Sequence, residues 1–225
     1  MDHFFLHAIN AGLSSPVADF FLVTASDFDL FTLPLLIAVV LLLSLGGWRG
    51  RIFVGMMALC LLIGDSGIGW SIKRATSRPR PHEAVEWVTY RNLETKPIRL
   101  GPLKIPTTFQ VKSQPARVTM NPNGRSMPSG HVLNNVALAI LVTIYYRKWA
   151  IPFWIWALIM AVSRVYTGSH YPSDCLVSFG LAIFYTPAII FGLDWLWKHL
   201  PFPFLEKWRR TIPSLAFPGP AHKKS

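Results

Sequence analysis

The chain has 225 residues, 52% of them hydrophobic, and its 22 Lys and Arg against 11 Asp and Glu give a formal net charge of +11. The apolar residues are clustered, because residues 30–45 hold no charge and residues 53–72 hold a single acid, Asp65. Such runs approach the roughly 20 residues that cross a bilayer core, which excludes a soluble globular protein. The basic residues lie in loops and at segment ends rather than in a stripe with stacking aromatic residues. This argues against a nucleic-acid partner and favours anionic lipid.

The N-terminal region, residues 1–27, is apolar but interrupted. Asn10, Gly12, Pro16 and Asp19 break the apolar pattern of this stretch. We therefore predict an interfacial or re-entrant helix pair over residues 2–25, with a sixth full span as the alternative.

Five longer apolar segments follow and predict transmembrane helices. They lie near residues 29–47, 52–73, 130–147, 150–168 and 172–195. We expect an all-α, polytopic transmembrane helix bundle of five to six membrane segments, folded as a single domain over residues 1–225. No obligatory protein partner is evident.

The distribution of basic residues predicts the topology. The short loops 48–51 and 147–148 and the tail, residues 196–225, are basic, and the positive-inside rule assigns all three to the cytoplasm. The hydrophilic segment between the second and third spans then faces outward, and residues 82–127 form an external basic loop or lid. Strand-like stretches between Ile98 and Val118 predict a small β-hairpin there.

Three polar clusters lie at the outward ends of the spans, and the first combines Lys73 with Arg80. These two residues are seven positions apart, about two helical turns, so a helix would put both on one face. Arg78 and Arg80 each precede a proline, however, which favours extended backbone where the helix ends. The alternative is a stop-transfer patch of cations that reach the interface.

The second cluster reads as the start of a helix. Ser129 is a candidate N-cap, and Gly130 allows a ligand to approach the backbone ahead of His131 and an apolar run. Exposed N–H groups at a helix start attract phosphate. An ordinary cap with an interfacial histidine is the alternative.

The third cluster contains Arg164, His170 and Asp174. Pro172 suits the first turn of a helix, which puts Asp174 about one turn after His170. The carboxylate could then accept the Nδ1–H of His170 and leave Nε2 as a directed nucleophile or base. Arg164 could hold phosphate oxygens in a bidentate manner. The alternative is an ion pair that joins two helices.

A metal site is a further possibility for two histidines and an aspartate. The Lys and Arg residues around them would repel a cation, whereas a phosphate would neutralise them. We therefore predict metal-free chemistry on a phosphorylated lipid, with no cofactor.

At these residues the chain resembles the type-2 phosphatidic acid phosphatase superfamily. The three-part signature of that family is Lys-x6-Arg-Pro, then Pro-Ser-Gly-His, then Ser-Arg-x5-His-x3-Asp. This chain matches all three parts, and the resemblance covers about residues 52–195. The matching stretches are Lys73 to Pro81, Pro128 to His131, and Ser163 to Asp174.

The resemblance implies a membrane phosphatase that forms a phosphohistidine. His170 would attack phosphorus, Asp174 would orient it, and His131 would protonate the leaving oxygen and later activate water. The residues implied to bind the phosphoryl oxygens are Lys73, Arg80, Ser129, Gly130 and Arg164.

The leading hypothesis is a lipid phosphatase in a bacterial-type inner membrane, with its active site on the periplasmic side. Candidate substrates are lipid A 1-phosphate, undecaprenyl pyrophosphate and phosphatidylglycerol phosphate, and the basic loop with Trp87 and Tyr90 favours the large lipid A headgroup. One alternative is a lipid phosphotransferase that uses the same covalent intermediate. A non-enzymatic lipid-binding or transport protein is a third option, which would need no nucleophile paired with an acid.

Overall fold

A computed structural model of the protein describes residues 1–100, 103–119 and 124–217 and shows helices with one two-stranded antiparallel sheet in that part of the chain. Its elements, in chain order, are α1 (Asp2–Asn10), α2 (Pro16–Ser26), α3 (Phe28–Leu45), α4 (Gly47–Cys60), a π-helical stretch (Leu61–Gly69), α5 (Trp70–Thr76), α6 (Pro81–Ala84), β1 (Thr89–Leu100), β2 (Leu103–Pro115), α7 (Gly130–Tyr145), α8 (Ala150–Tyr166), α9 (Pro172–His199) and α10 (Glu206–Thr211).

Four helical segments in the described residues are long and apolar enough to cross a membrane. They are Phe28–Leu45, Gly47–Ala84, Arg147–Tyr166 and Pro172–His199. Helix α7 is apolar but shorter, with 16 residues. The predicted all-α membrane class is confirmed, and the observed helix ends lie within a few residues of most of the predicted ones.

Helix α7 forms the centre of the bundle. Its buried residues include Val132, Leu133, Val136, Ala137 and Leu141, and they pack in one core with residues of α4, α8 and α9. Small side chains such as Ala137 let neighbouring helices approach closely, which is how membrane helices gain packing energy. Helix α3, in contrast, has no buried residue and presents apolar side chains outward all along its length.

The segment after α5 follows the prediction that the helix ends before the two arginines that precede prolines. Helix α5 ends at Thr76, and Ser77 adopts a left-handed conformation with φ of 43°, so Lys73 and Arg80 do not share a helix face. Arg80 instead precedes Pro81 in extended conformation, at the start of α6. The pre-proline positions favour extended backbone, which explains why the helix cannot continue.

The hydrophilic loop between the second and third predicted spans contains the predicted β-hairpin, but the hairpin begins earlier. Strand β1 starts at Thr89 rather than near Ile98 and pairs with β2 from Thr89↔Pro115 onward. Arg91 anchors its base, because this buried guanidinium donates to the backbone oxygen of Asn10 at 3.0 Å and forms an ion pair with Asp19 at 2.9 Å. The hairpin is thereby fixed to the N-terminal segment.

The N-terminal segment packs across the end of the bundle. Asn10 is buried, and its amide donates to the backbone oxygens of Thr89 and Tyr166 at 2.9 and 2.7 Å. Helix α2 is too short to span a bilayer core. An interfacial position for residues 2–25 stays a prediction.

The two ends of the bundle differ in chemistry. The last residues of α5 and α8 and the first residues of α7 and α9 meet at one end, and these carry the three polar clusters. At the other end, Trp48 packs against Trp208, and Tyr145 donates to the backbone oxygen of Leu215 at 2.7 Å. The antiparallel order of the helices therefore assembles a single polar site.

Candidate active site

His170 lies in the tight connection between α8 and α9 and is almost fully buried, with 3% of its surface exposed. Its Nδ1 is 2.6 Å from the backbone oxygen of Ser126. A carbonyl only accepts hydrogen bonds, so this contact assigns the ring proton to Nδ1 and leaves the lone pair on Nε2. A neutral imidazole in this tautomer is a nucleophile.

The expected hydrogen bond from His170 to Asp174 is not formed. Asp174 Oδ2 is 3.7 Å from Nδ1, beyond hydrogen-bonding distance, although close enough for electrostatic attraction. The carbonyl of Ser126, not the carboxylate, therefore fixes the tautomer. Ser126, in the segment before α7, contacts both side chains, which helix spacing alone does not reveal.

Asp174 is fully buried in the first turn of α9, and its carboxylate accepts several hydrogen bonds. It accepts hydrogen bonds from Arg78 at 2.6 Å, from the hydroxyl of Ser126 at 2.5 Å and from the backbone N–H of Tyr171 at 2.9 Å. The helix N-terminus also favours a negative charge. Asp174 is thus held as a fixed anion next to the nucleophile.

Ser126 is a buried polar residue at the site that the three motifs do not include. Its carbonyl binds His170, its hydroxyl binds Asp174, and its own N–H donates to the backbone oxygen of Arg78 at 3.0 Å. Gly124 permits this close packing, because a Cβ there would lie 2.3 Å from the same backbone oxygen. Nothing in the spacing of the three motifs points to Ser126.

Arg78 and Asp2 form an outer support for this arrangement. The Arg78 guanidinium bridges Asp174 and Asp2, with the second contact at 2.8 Å, and lies over the ring of Tyr171 at 3.9 Å. Asp2 also accepts the backbone N–H of Ser173 at 2.9 Å. The start of α1 is therefore tied to the start of α9, behind the nucleophile.

The electrostatic environment keeps His170 neutral. Burial lowers its pKa to about 4, the charges of Arg164 and Arg80 act in the same direction, and Asp174 opposes them. An unfolded histidine has a pKa of about 6.5. Because the folded pKa is lower, the stabilising effect of neutral His170 is complete above about pH 6.5 and is lost as the pH falls toward the folded pKa.

We expect His170 to titrate well below the other histidines. In detergent-solubilised protein with ¹⁵N-labelled histidine, its resonance, assigned through a His170→Gln variant, should hold the Nδ1–H tautomer from neutral pH down to about pH 5. A midpoint at or above about 6.5 would contradict the proposed environment.

Two arginines supply positive charge around the nucleophile. Arg164 donates to the hydroxyl of Ser26, while its buried Nε has no hydrogen-bond partner among the described residues. Arg80 lies at the start of α6, and its backbone N–H donates to Glu83 at 3.0 Å. Both charges act on His170. The site therefore retains donor capacity for an anion.

The start of α7 supplies the other histidine. Ser129 occupies the predicted N-cap position, although its side chain makes no cap hydrogen bond. Its backbone N–H donates instead to Ser178 at 2.8 Å, and its buried hydroxyl lacks a partner in the described part of the chain. His131 follows in the first turn of the helix.

Lys73 contacts a carboxylate on its own helical segment. Its Nζ is 3.3 Å from Asp65 in the π-helical stretch, and Asn134 of α7 donates to the same carboxylate at 3.3 Å. Asp65 is therefore a further polar residue at the site, and its position within an apolar span was the sequence signal for it.

The remaining outward histidines and aromatic residues have structural contacts. His82 Nδ1 lies 2.9 Å from the backbone oxygen of Gly168, and its ring packs on Tyr90 at 4.3 Å. Trp87 packs edge-on against His7 at 5.1 Å. Trp87 and Tyr90, which we expected to meet a large headgroup, are thus partly engaged within the protein.

Taken together, the site combines a buried, neutral imidazole, a second histidine and several cations at one end of the bundle. Its unpaired donors suit the oxygens of a phosphoryl group. Nucleophilic attack, proton transfer and charge neutralisation are the three functions that phosphoryl transfer requires.

Comparison with known proteins agrees with this chemistry. A family model described as the PAP2 superfamily matches residues 49–197. The crystal structure of Aquifex aeolicus LpxE is similar at 17% identity with a TM-score of 0.59, and the match covers 84% of this chain and 93% of that one. No curated protein matches the sequence significantly.

A second similar structure is the first transmembrane PAP2 type phosphatidylglycerolphosphate phosphatase from Bacillus subtilis. It is 18% identical, with a TM-score of 0.51, and the match covers 88% of each chain. At these identities the two structures establish the fold, and the family match confirms the resemblance seen in the motifs.

Proposed function

The chain belongs to the PAP2 superfamily and is a membrane lipid phosphatase by that membership, and we propose that it removes phosphate from a lipid headgroup through a phosphohistidine on His170, without a metal ion. The observation that carries the proposal is the contact of His170 Nδ1 with the Ser126 carbonyl, which leaves Nε2 free to attack.

In the first half of the reaction, the Nε2 lone pair forms a bond to phosphorus while the bond from phosphorus to the leaving oxygen breaks. Protonated His131 donates its proton to that oxygen. The phosphohistidine then carries a positive charge on its ring, and the fixed anion of Asp174, 3.7 Å from Nδ1, stabilises it.

In the second half, neutral His131 takes a proton from water as the water oxygen bonds to phosphorus. The bond from phosphorus to Nε2 breaks, the electron pair returns to His170, and inorganic phosphate leaves. Arg80, Arg164 and Lys73 neutralise the phosphoryl oxygens in both steps, together with N–H groups at the start of α7.

The candidate lipids are lipid A 1-phosphate, undecaprenyl pyrophosphate and phosphatidylglycerol phosphate. The similarity to the Bacillus subtilis phosphatidylglycerolphosphate phosphatase supports keeping the third in the group. A bacterial-type inner membrane with the site on the periplasmic side agrees with the short basic loops at the opposite end of the bundle.

The test is phosphate release by the purified protein from each of the three lipids, with and without EDTA. We expect release from at least one lipid, with unchanged rate after chelation. Loss of activity on chelation, restored by a divalent ion, would contradict the metal-free mechanism. Appearance of a phosphorylated acceptor in place of free phosphate would identify a phosphotransferase.

A further inference from the structure

We propose that Asp65 and Asn134 form a headgroup subsite that accepts hydrogen bonds from hydroxyl or amide N–H groups carried by the lipid next to its phosphate. The inference rests on the proposed function, because it concerns the side of the site on which the leaving group departs. It assigns the substrate to lipids whose headgroup bears hydrogen-bond donors, such as a glycerol or a sugar.

The position of Asp65 defines that side. Its carboxylate lies directly against Gly130, because a Cβ built on Gly130 would be 2.8 Å from Asp65 Oδ1. Gly130 immediately precedes His131, the proton donor to the leaving oxygen. A group attached to that oxygen therefore lies near the carboxylate.

The chemistry of Asp65 excludes phosphate as its ligand. A carboxylate repels a phosphate anion, and an ionisable side chain in a membrane-spanning segment is costly to keep. Lys73, at 3.3 Å, balances the charge. A carboxylate offers about four acceptor positions, and the contacts with Lys73 and Asn134 occupy two of them.

Asn134 adds a second acceptor. Its amide nitrogen donates to Asp65, and since a carboxylate only accepts, this contact orients the amide. The buried Asn134 Oδ1 is left with no hydrogen-bond partner in the described part of the chain. On the other side of the site, the unpaired buried atom of Arg164 is a donor. The unpaired donor can therefore bind the phosphate, whereas the unpaired acceptor is suited to a hydrogen-bond donor elsewhere on the lipid headgroup.

There is room for such a group beside Asp65. Asp65, Ser66, Trp70 and Lys73 line an open pocket of about 490 Å³. The Asp65 side chain is 36% exposed into this space. The aromatic ring of Trp70 in its lining suits a ligand that is part polar and part apolar.

The test compares two phospholipids with the same acyl chains. Phosphatidylglycerol phosphate releases phosphatidylglycerol, whose glycerol bears a hydroxyl, whereas phosphatidic acid releases a diacylglycerol with no donor next to the departing oxygen. Lipid A 1-phosphate, which releases a sugar that carries donors, and undecaprenyl pyrophosphate, which releases undecaprenyl phosphate, are compared in the same way. The measured quantity is kcat/KM for each lipid in wild type, Asp65→Asn and Asn134→Ala.

We expect each variant to lose about tenfold in kcat/KM on the donor-bearing lipid and less than about twofold on its partner. Asn134→Ala keeps the pair between Asp65 and Lys73, so a selective loss there cannot come from a displaced lysine. Ser71→Ala, on the exposed face of α5, serves as the control and should change neither value.

Equal losses of kcat/KM on both lipids of a pair would overturn the subsite. Asp65 would then act only by positioning Lys73. Absence of phosphate release by wild type from all four lipids would contradict the proposed function instead. In that case the subsite is tested by binding of the same lipid pairs to the purified protein, measured by thermophoresis. A preference for the donor-bearing lipid that both variants abolish would support the subsite. Equal binding of the two lipids would overturn it.

Discussion

His170→Ala is expected to lower phosphate release by at least about 10⁴-fold, because the variant removes the atom that attacks phosphorus. The cations that bind the phosphate remain, so lipid binding should persist and the loss should fall on kcat. Wild type mixed briefly with ³²P-labelled lipid and quenched in base should carry label on His170, since phosphohistidine survives base and is cleaved by acid. The alanine variant should carry none.

His131→Ala is the matched control for this experiment. It keeps the nucleophile but removes the acid and base, so the variant should form phosphohistidine slowly and hydrolyse it more slowly still. With an activated aryl phosphate, whose leaving group needs no proton, label should accumulate on the protein. Equal activity of His170→Ala and wild type, or label in the alanine variant, would contradict the assignment of the nucleophile.

The sequence predicted the parts of the fold and site that depend on local pattern. Uninterrupted apolar runs located the membrane helices, and Pro172 with Asp174 located the start of α9. The prolines after Arg78 and Arg80 predicted that the helix carrying Lys73 ends before them, as observed. The resemblance to the family motifs then implied which histidine would act as nucleophile.

The contacts that the sequence did not predict join distant parts of the chain. Ser126 reaches His170 across 44 positions, and Asp2 reaches Ser173 across 171. Such pairs depend on how helices pack and on where the segment before α7 lies. Neither periodicity nor motif spacing predicts these contacts, so the hydrogen bonds that hold His170 and the start of α9 are visible only in the structure.

Asp174→Asn is expected to cause the second largest decrease in kcat, and the hydrogen bonds of Asp174 indicate how large it should be. The buried carboxylate accepts from Arg78, Ser126 and Tyr171, and an amide would direct its N–H₂ group at one or more of these donors. Removing one partner of a buried ion pair costs about 3–5 kcal/mol, equivalent to about 150-fold to 5,000-fold if it falls on the transition state.

The loss should nevertheless stay below that of His170→Ala, because the Ser126 carbonyl continues to hold the Nδ1–H tautomer. We expect kcat to fall and KM to change little, since the phosphate-binding cations are untouched. Ser126→Ala keeps the carbonyl and removes only the hydroxyl, so a decrease of about tenfold is expected. If Asp174→Asn were as inactive as His170→Ala and its ¹⁵N spectrum showed the other tautomer of His170, the carboxylate rather than Ser126 would be the residue that orients the nucleophile.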